Sequence, residues 1–474
     1  MAKMSPFMTQ NFDLILKGGT VCLPHGTVQT DIGVTAGKIA AIGTLDAGRG
    51  AEVIDCTNLH ILPGVIDSHV HFREPGLTHK EDIMTGTLAA ISGGVTTIFE
   101  MPNTEPLTIT AETHRDKMAR AEGRAFCDYA FYMGGCDGNA HYLNELERLP
   151  GCSGVKVFMG SSTGALLAAE DETILKIMQS GTRRLCLHAE DEARLIARKH
   201  IAADSQDVKT HPEWRDAQCA LTAVQRAIAL GRQSGRRLHF LHTTSAEEMA
   251  YLQAHKDIAT IETTPQHLTL FAPDCYERMG TRAQMNPPIR TREHQDALWA
   301  AINDGTVDTL GSDHAPHTLD EKSKTYPASP SGMPGVQTML PVMLNHVHEG
   351  RLSLMRLVDL LAHGPQRVYG IAHKGRIAAG YDADFAIVDL KATRKISDRW
   401  IKSKCGWTPY DGMSVTGWCM GTILRGRIVM WDDEIPAAIA RHPRGLPVRF
   451  NETLIESNIT DAAPVACPAH TCCS

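Results

Sequence analysis

Between about residue 59 and residue 374 the chain alternates short strand-like runs with longer amphipathic ones. Eight of the short runs can be counted: His60–Ile66, Val95–Met101, Phe126–Met133, Gly154–Phe158, Arg184–Leu187, Arg237–Leu241, Ala259–Thr264 and Asp308–Gly311. Helix-length segments such as Glu81–Ser92 and Ala217–Ser234 lie between them. Strands alternating with helices in this way form parallel sheets joined by crossover helices. Eight such units close naturally into a (β/α)8 barrel, so the fold expected is α/β and TIM-like. This limits function as well as architecture, because in such barrels the chemistry sits at the carboxyl ends of the strands.

The flanks have a different texture. From about residue 12 to 58 the chain reads as short strands and tight turns, for example Phe-Asp-Leu-Ile-Leu-Lys, Thr-Val-Cys-Leu and Lys-Ile-Ala-Ala-Ile-Gly. That is a β-rich module too small to close a core alone. Gly375–Asp389 and Thr422–Trp431 carry the same pattern. The expected organisation is a composite β-sandwich domain built from residues 1–58 and 375–450, a barrel over 59–374, and a poorly ordered tail over 451–474.

Composition excludes several functions. A formal charge of -7 on 474 residues, without runs of one sign, gives no footprint for nucleic acid or an anionic membrane. No stretch reaches the ~18 apolar residues of a membrane span, and the first residues lack a signal peptide's apolar centre, so a cytoplasmic protein is expected. The 13 Cys residues are odd in number and contain no Cys-x-x-Cys pair, which predicts free thiols in a reducing compartment. Cys467, Cys472 and Cys473 in the tail are expected to be inert.

The residues at the strand ends are the candidates for chemistry. His69 and His71 follow the first run, and side chains two apart on a strand share a face, so both imidazoles can hold one metal ion. With 23 His in the chain, His-x-His arises about once by chance, and His346-Val-His348 is such a copy. Its helical setting points the two rings apart. The first copy gains weight from Lys156 in the fourth run, His188 ending the fifth, His242 ending the sixth and Asp313 after the eighth. Imidazole and carboxylate together suit zinc and its neighbours. A lysine among such groups can take up carbon dioxide, giving a carbamate whose two oxygens bridge two ions. His239, three positions before His242, faces the other way and is assigned a structural role; His267 and His314 stay unassigned. Gly160–Gly164 directly follows the Lys156 run and suits either a closing loop or a plain turn.

Taken in order, Asp67-Ser-His-Val-His-Phe-Arg-Glu-Pro-Gly76, Glu100-Met-Pro-Asn-Thr104, Gly154-Val-Lys-Val-Phe-Met-Gly160, Met285-Asn-Pro-Pro-Ile-Arg290 and Gly311-Ser-Asp-His-Ala-Pro-His317 resemble the motifs of the dihydroorotases. These form part of the cyclic-amidohydrolase branch of the amidohydrolase superfamily. The resemblance runs from about Phe12 to about Trp431. It implies two zinc ions: one on His69, His71 and Asp313, the other on His188 and His242, with carboxylated Lys156 and a hydroxide between them. It further implies that Asp313 is the catalytic proton carrier and that Arg73, Asn103 and His317 hold the substrate carboxylate. Asn286 and the Pro334-Gly335 backbone would lie near the ring. The implied reaction is the reversible hydrolysis of dihydroorotate to N-carbamoyl-aspartate in pyrimidine biosynthesis, by a homo-oligomer acting on a small molecule. Lys156 is equally at home in hydantoinases and allantoinases, the alternative reading, so the substrate rests on Arg73. A non-catalytic scaffold would have lost metal ligands, and all six positions are present.

Overall fold

The computed structural model describes residues 11–162 and 165–453. The tail beyond residue 453, with its three cysteines, and Thr163 and Gly164 of the expected loop lie outside the described residues. Five strands come first: β1 (Phe12–Leu23), β2 (Gly26–Thr35), β3 (Lys38–Gly43), β4 (Gly50–Asp55) and β5 (His60–Pro63). The barrel strands follow: β6 (Val65–Val70), β7 (Val95–Glu100), β8 (Asp128–Gly134), β9 (Cys152–Phe158), β10 (Leu185–His188), β11 (Leu238–Phe240), β12 (Ala259–Thr263) and β13 (Thr309–Leu310). Three more close the series: β14 (Phe385–Lys395), β15 (Ser414–Leu424) and β16 (Arg427–Trp431).

Strands β6 to β13 pair in sequence order, each parallel to the next. The ring returns to its start through a parallel bridge between Val70 and His314, where His71 N–H donates to the His314 carbonyl at 2.8 Å. Helices cover the outside; Ala217–Ser234 begins on an Asp216 cap and ends on Gly235 in the left-handed region, as its sequence directs. The other eight strands form one sheet of order β16-β15-β14-β5-β1-β2-β3, with β4 also paired to β1. Both ends of the chain thus contribute to it, and β5 meets β14 antiparallel, His60 opposite Val388.

The first expected strand, His60–Ile66, is corrected. It is two strands in two sheets, β5 and β6, divided at Gly64. The Gly64 N–H donates to the Asp384 carbonyl at 2.8 Å, and a Cβ there would stand 2.2 Å from Thr96 Oγ1. Both halves are buried, so apolar patterning runs unbroken through the change of sheet.

Where the chain leaves the barrel, Lys374 is buried between three carboxylates. Its Nζ lies 2.5 Å from Asp128, 3.0 Å from Asp382 and 2.6 Å from Asp384. Arg425 also pairs with Asp128, and Lys38 with Asp382. Three cations thus face three carboxylates where the β sheet meets β8.

Candidate active site at the barrel rim

The carboxyl ends of the barrel strands converge as the period of the fold demands. His69 lies in β6, His71 one residue beyond it, Lys156 in β9, and His188 at the end of β10; His242 and Asp313 follow β11 and β13. All six are buried. One nitrogen or oxygen from each of His69, His242 and Asp313 falls within a common 4.8 Å. Arg73, His242 and Asp313 have φ of +64°, +36° and +42°, a backbone region that L residues adopt at a cost. Such strain persists where the surroundings over-determine it, and it concentrates at functional sites.

The hydrogen bonds define which ring nitrogens are bare. His71 Nδ1 faces Asn103 Oδ1 at 2.9 Å, and His69 Nδ1 faces Glu262 Oε1 at 2.8 Å. With those protons donated, each Nε2 presents a lone pair to the same atom, Asp313 Oδ1, at 3.3 Å. His188 donates from Nε2 to Glu190 at 2.8 Å, so its Nδ1 lone pair faces His242 Nε2 at 3.0 Å. Burial keeps three of these rings neutral: His71 falls to about 3, and His188 and His242 also fall below the usual imidazole range. Burial raises Asp313, but His69 and His71 overcome it and hold the carboxylate below its ordinary range. Neutral imidazoles and an ionised carboxylate pointing acceptors at one another are the donor set of a divalent cation.

Lys156 completes the set. Its Nζ is buried without a hydrogen-bond partner, 4.6 Å from the centre of the Phe158 ring. Burial pulls its amine down to about 7, which leaves a nucleophilic fraction at neutral pH. These orphaned groups fit a metal centre.

The cavity wall is formed by Arg73, Asn103, Phe158, Ser162, Asn286, Ala315, Ser331 and Gly332 beside His69, His71, His188, His242 and Asp313. Arg73 is the cation of this wall. Its Nε donates to the Pro316 carbonyl at 3.2 Å, and no carboxylate lies within 4 Å of it among the described residues. The two acids that could have braced it are engaged elsewhere: Glu74 with Arg124, and Glu100 with Lys117. Asn286 Oδ1 lies 3.0 Å from His211 Nε2, and its Nδ2 reaches Ser162 Oγ at 3.4 Å.

Two expected contacts lie behind the wall. His317 is fully buried, with Nε2 3.0 Å from the Ser331 carbonyl and 3.4 Å from Arg73 Nη2. Gly335 directs its N–H to His314 Nδ1 at 3.0 Å, beneath the Asp313 loop. His239 bonds Thr260 Oγ1 at 2.8 Å, and His267 bonds Thr264 Oγ1 at 2.7 Å, both as structural groups. Sequence reasoning missed Glu262 and Glu190, the carboxylates that orient His69 and His188. A signal existed for Glu262, a charge inside the buried strand Ala-Thr-Ile-Glu-Thr. Glu190 is itself fixed by Arg215 and held below the usual range, since Arg215 and His188 together outweigh its burial.

A (β/α)8 barrel with imidazoles, a lysine and an aspartate gathered on its catalytic rim defines a metal-dependent hydrolase class. The chain belongs to the amidohydrolase family, whose model matches residues 60–429. It is 34% identical over 444 residues to a dihydroorotase of Methanosarcina mazei, covering 90% of this chain and 96% of that one. It is 36% identical over 431 residues to an allantoinase of Rubrobacter xylanophilus, covering 88% and 94% respectively. The solved structure of the L-hydantoinase (dihydropyrimidinase) from Arthrobacter aurescens superposes with a TM-score of 0.86 at 32% identity, covering 92% of this chain and 99% of that one.

Proposed function

We propose that this enzyme is a dihydroorotase, opening the cyclic amide of dihydroorotate reversibly to N-carbamoyl-aspartate. The observation that carries the substrate is Arg73, a buried guanidinium in the cavity wall with no carboxylate within 4 Å among the described residues. A buried charge of this kind calls for an anion, and the ring carboxylate of dihydroorotate supplies one in the fork geometry a guanidinium recognises. Hydantoin and allantoin rings lack it.

In this reading His69, His71 and Asp313 would hold one zinc ion and His188 and His242 a second, and Lys156, once carboxylated, would offer its carbamate oxygens to them. When bound, the two ions would supply Lewis acidity and lower the pKa of a bound water toward ~7. Asp313, ionised at neutral pH, accepts the proton of the attacking water and delivers it to the departing ring nitrogen, serving as base and then acid. Arg73 and Asn103 orient the ring carboxylate, while Asn286 and the Ser331–Gly332 segment line the rest of the cavity. Glu262 and Glu190 keep His69 and His188 in the tautomers a metal needs. The same reading carries a cytoplasmic homo-oligomer; no helix among the described residues is long and apolar enough to cross a membrane.

The deciding experiment is turnover by the zinc-loaded enzyme of dihydroorotate, dihydrouracil, hydantoin and allantoin. Dihydroorotate should be preferred by at least tenfold in kcat/KM, with Arg73→Lys removing that preference. Wild-type preference for an uncharged ring would assign the enzyme to the hydantoinase or allantoinase activities of its relatives instead.

A further inference from the structure

We propose that Trp407, which reaches the barrel rim from the β domain, is a positioning residue for Arg73, so that recognition of a ring carboxylate depends on the second domain. The inference rests on the carboxylate reading of the Arg73 pocket. Trp407 lies on the connection between β14 and β15 and is fully buried. Its indole N–H donates to the His317 carbonyl at 2.8 Å.

Two groups that meet the end of Arg73 come from the two residues leading to that carbonyl. Nε donates to the Pro316 carbonyl at 3.2 Å, and Nη2 lies 3.4 Å from His317 Nε2. Where these groups stand is a matter of backbone torsions. Upstream, the Ala315 N–H donates to the Met333 carbonyl at 3.0 Å, and the ring of Pro316 fixes its own φ. Downstream, the peptide between His317 and Thr318 is held by both edges: its carbonyl by Trp407, and its N–H by Glu321 Oε2 at 3.1 Å. A planar peptide held by both edges resists rotation about the chain axis. The freedom left to the Pro316 carbonyl is therefore small, and of these anchors Trp407 is the one supplied by the second domain.

The connection that carries Trp407 is itself tied to the rim. The Gln337 side chain donates to the Trp400 carbonyl at 2.9 Å and accepts from the Lys402 N–H at 2.8 Å. Ser403 bonds Glu81, and Lys404 Nζ reaches Asp82 at 2.6 Å and the Thr78 carbonyl at 2.7 Å. Thr78, Glu81 and Asp82 belong to the loop after β6, which also carries Arg73. One segment of the second domain thus grips both loops that meet at the guanidinium. A fork onto a carboxylate needs two parallel N–H bonds, so a small error in its placement weakens both. Loss of the indole N–H leaves the buried His317 carbonyl without that donor and frees the peptide to turn.

The test replaces the indole by its sulfur isostere, benzothienylalanine at position 407, which keeps the shape and deletes the N–H; Trp407→Phe is the genetic companion. Kinetics of the zinc-loaded enzymes on dihydroorotate and dihydrouracil are paired with solvent exchange of the Arg73 Nε proton, assigned from the 15N signal lost in Arg73→Met. The isostere should raise KM for dihydroorotate about three- to tenfold, the range of one hydrogen bond, with kcat within about twofold and dihydrouracil unaffected. Exchange of the Nε proton should quicken about fivefold or more. In the Arg73→Met background the isostere should change kcat/KM on dihydroorotate by less than about twofold, because a residue that acts through Arg73 has nothing left to act on. The proposal is overturned by an unchanged KM or exchange rate in the isostere, by equal losses on both rings, or by full additivity with Arg73→Met. The isostere decides even if Trp407→Phe does not fold. Wild type indifferent to the ring carboxylate would instead overturn the reading of the pocket, with the exchange rate still reporting whether Trp407 holds the guanidinium.

Discussion

Arg73→Met should make the substrate-free protein more stable and disable it on a carboxylated ring. Burial draws the guanidinium from its ordinary value to about 10, against the pull of Asp313 and Glu100. At 1.36 kcal/mol per pKa unit, the folded state carries a penalty of about 3 kcal/mol for holding this charge. Methionine removes the penalty and fills most of the space of the arginine stem. The variant forfeits the Nε bond to the Pro316 carbonyl, worth about 1 kcal/mol. The net expectation is about 2 kcal/mol of added stability, read as a raised urea midpoint at constant slope. The same variant should lose about 30- to 150-fold or more in kcat/KM on dihydroorotate, with dihydrouracil and metal content little changed. An arginine that merely braces the rim predicts the reverse, and destabilisation of about 2 kcal/mol would refute the argument from its unpaired charge.

Lys156→Ala should lose at least one metal ion and nearly all turnover, with partial rescue by short carboxylic acids; two tightly bound ions and intact activity by metal analysis would contradict the bridging role. Glu262→Gln should weaken metal affinity by about 10- to 100-fold in chelator competition, because His69 loses its anionic partner, and an unchanged affinity would count against that orientation. Lys374→Met should destabilise the fold by about 3–5 kcal/mol, leaving the buried Asp128 and Asp384 and the half-buried Asp382 short of a cation, and adding Asp384→Asn should restore part of it. Burial opposes the Lys374 charge, but Asp128, Asp384 and Asp382 raise its pKa above the usual lysine range. A raised pKa gives stability that is complete below the unfolded value and lost above the folded one. The wild-type advantage over Lys374→Met should therefore be constant between about pH 6 and 9 and shrink only in strong alkali, as unfolding curves across pH would report.

The periodicity of the sequence carries the barrel because each strand and helix is set by local patterning, and His69, His71, Lys156, His188, His242 and Asp313 are legible from their places in that period. What periodicity cannot carry is a change of sheet inside one apolar run, hence the misread continuity through Gly64. It is equally silent on partners distant in the chain. Glu262 meets His69, and Lys80 meets His317, across separations of 193 and 237 residues. His317 was visible as a residue of the Asp313 loop, but its place behind Arg73 depends on the Ser331 carbonyl and on Trp407, which no spacing rule connects to it.

The pairing of β5 with β14 also sets a schedule for biosynthesis. His60 leaves the ribosome early, whereas its partner Val388 is made only after the whole barrel. At about 5–20 residues per second the edge of β5 waits on the order of 15–65 s for its neighbour. Throughout that interval a buried-type apolar strand displays unpaired N–H and C=O groups, the template for pairing with another nascent chain. A transcript truncated before Phe385 would leave this edge open permanently. Such products should aggregate even where every barrel strand has been synthesised, and expression of the full-length enzyme should depend on chaperones that shield strands during translation.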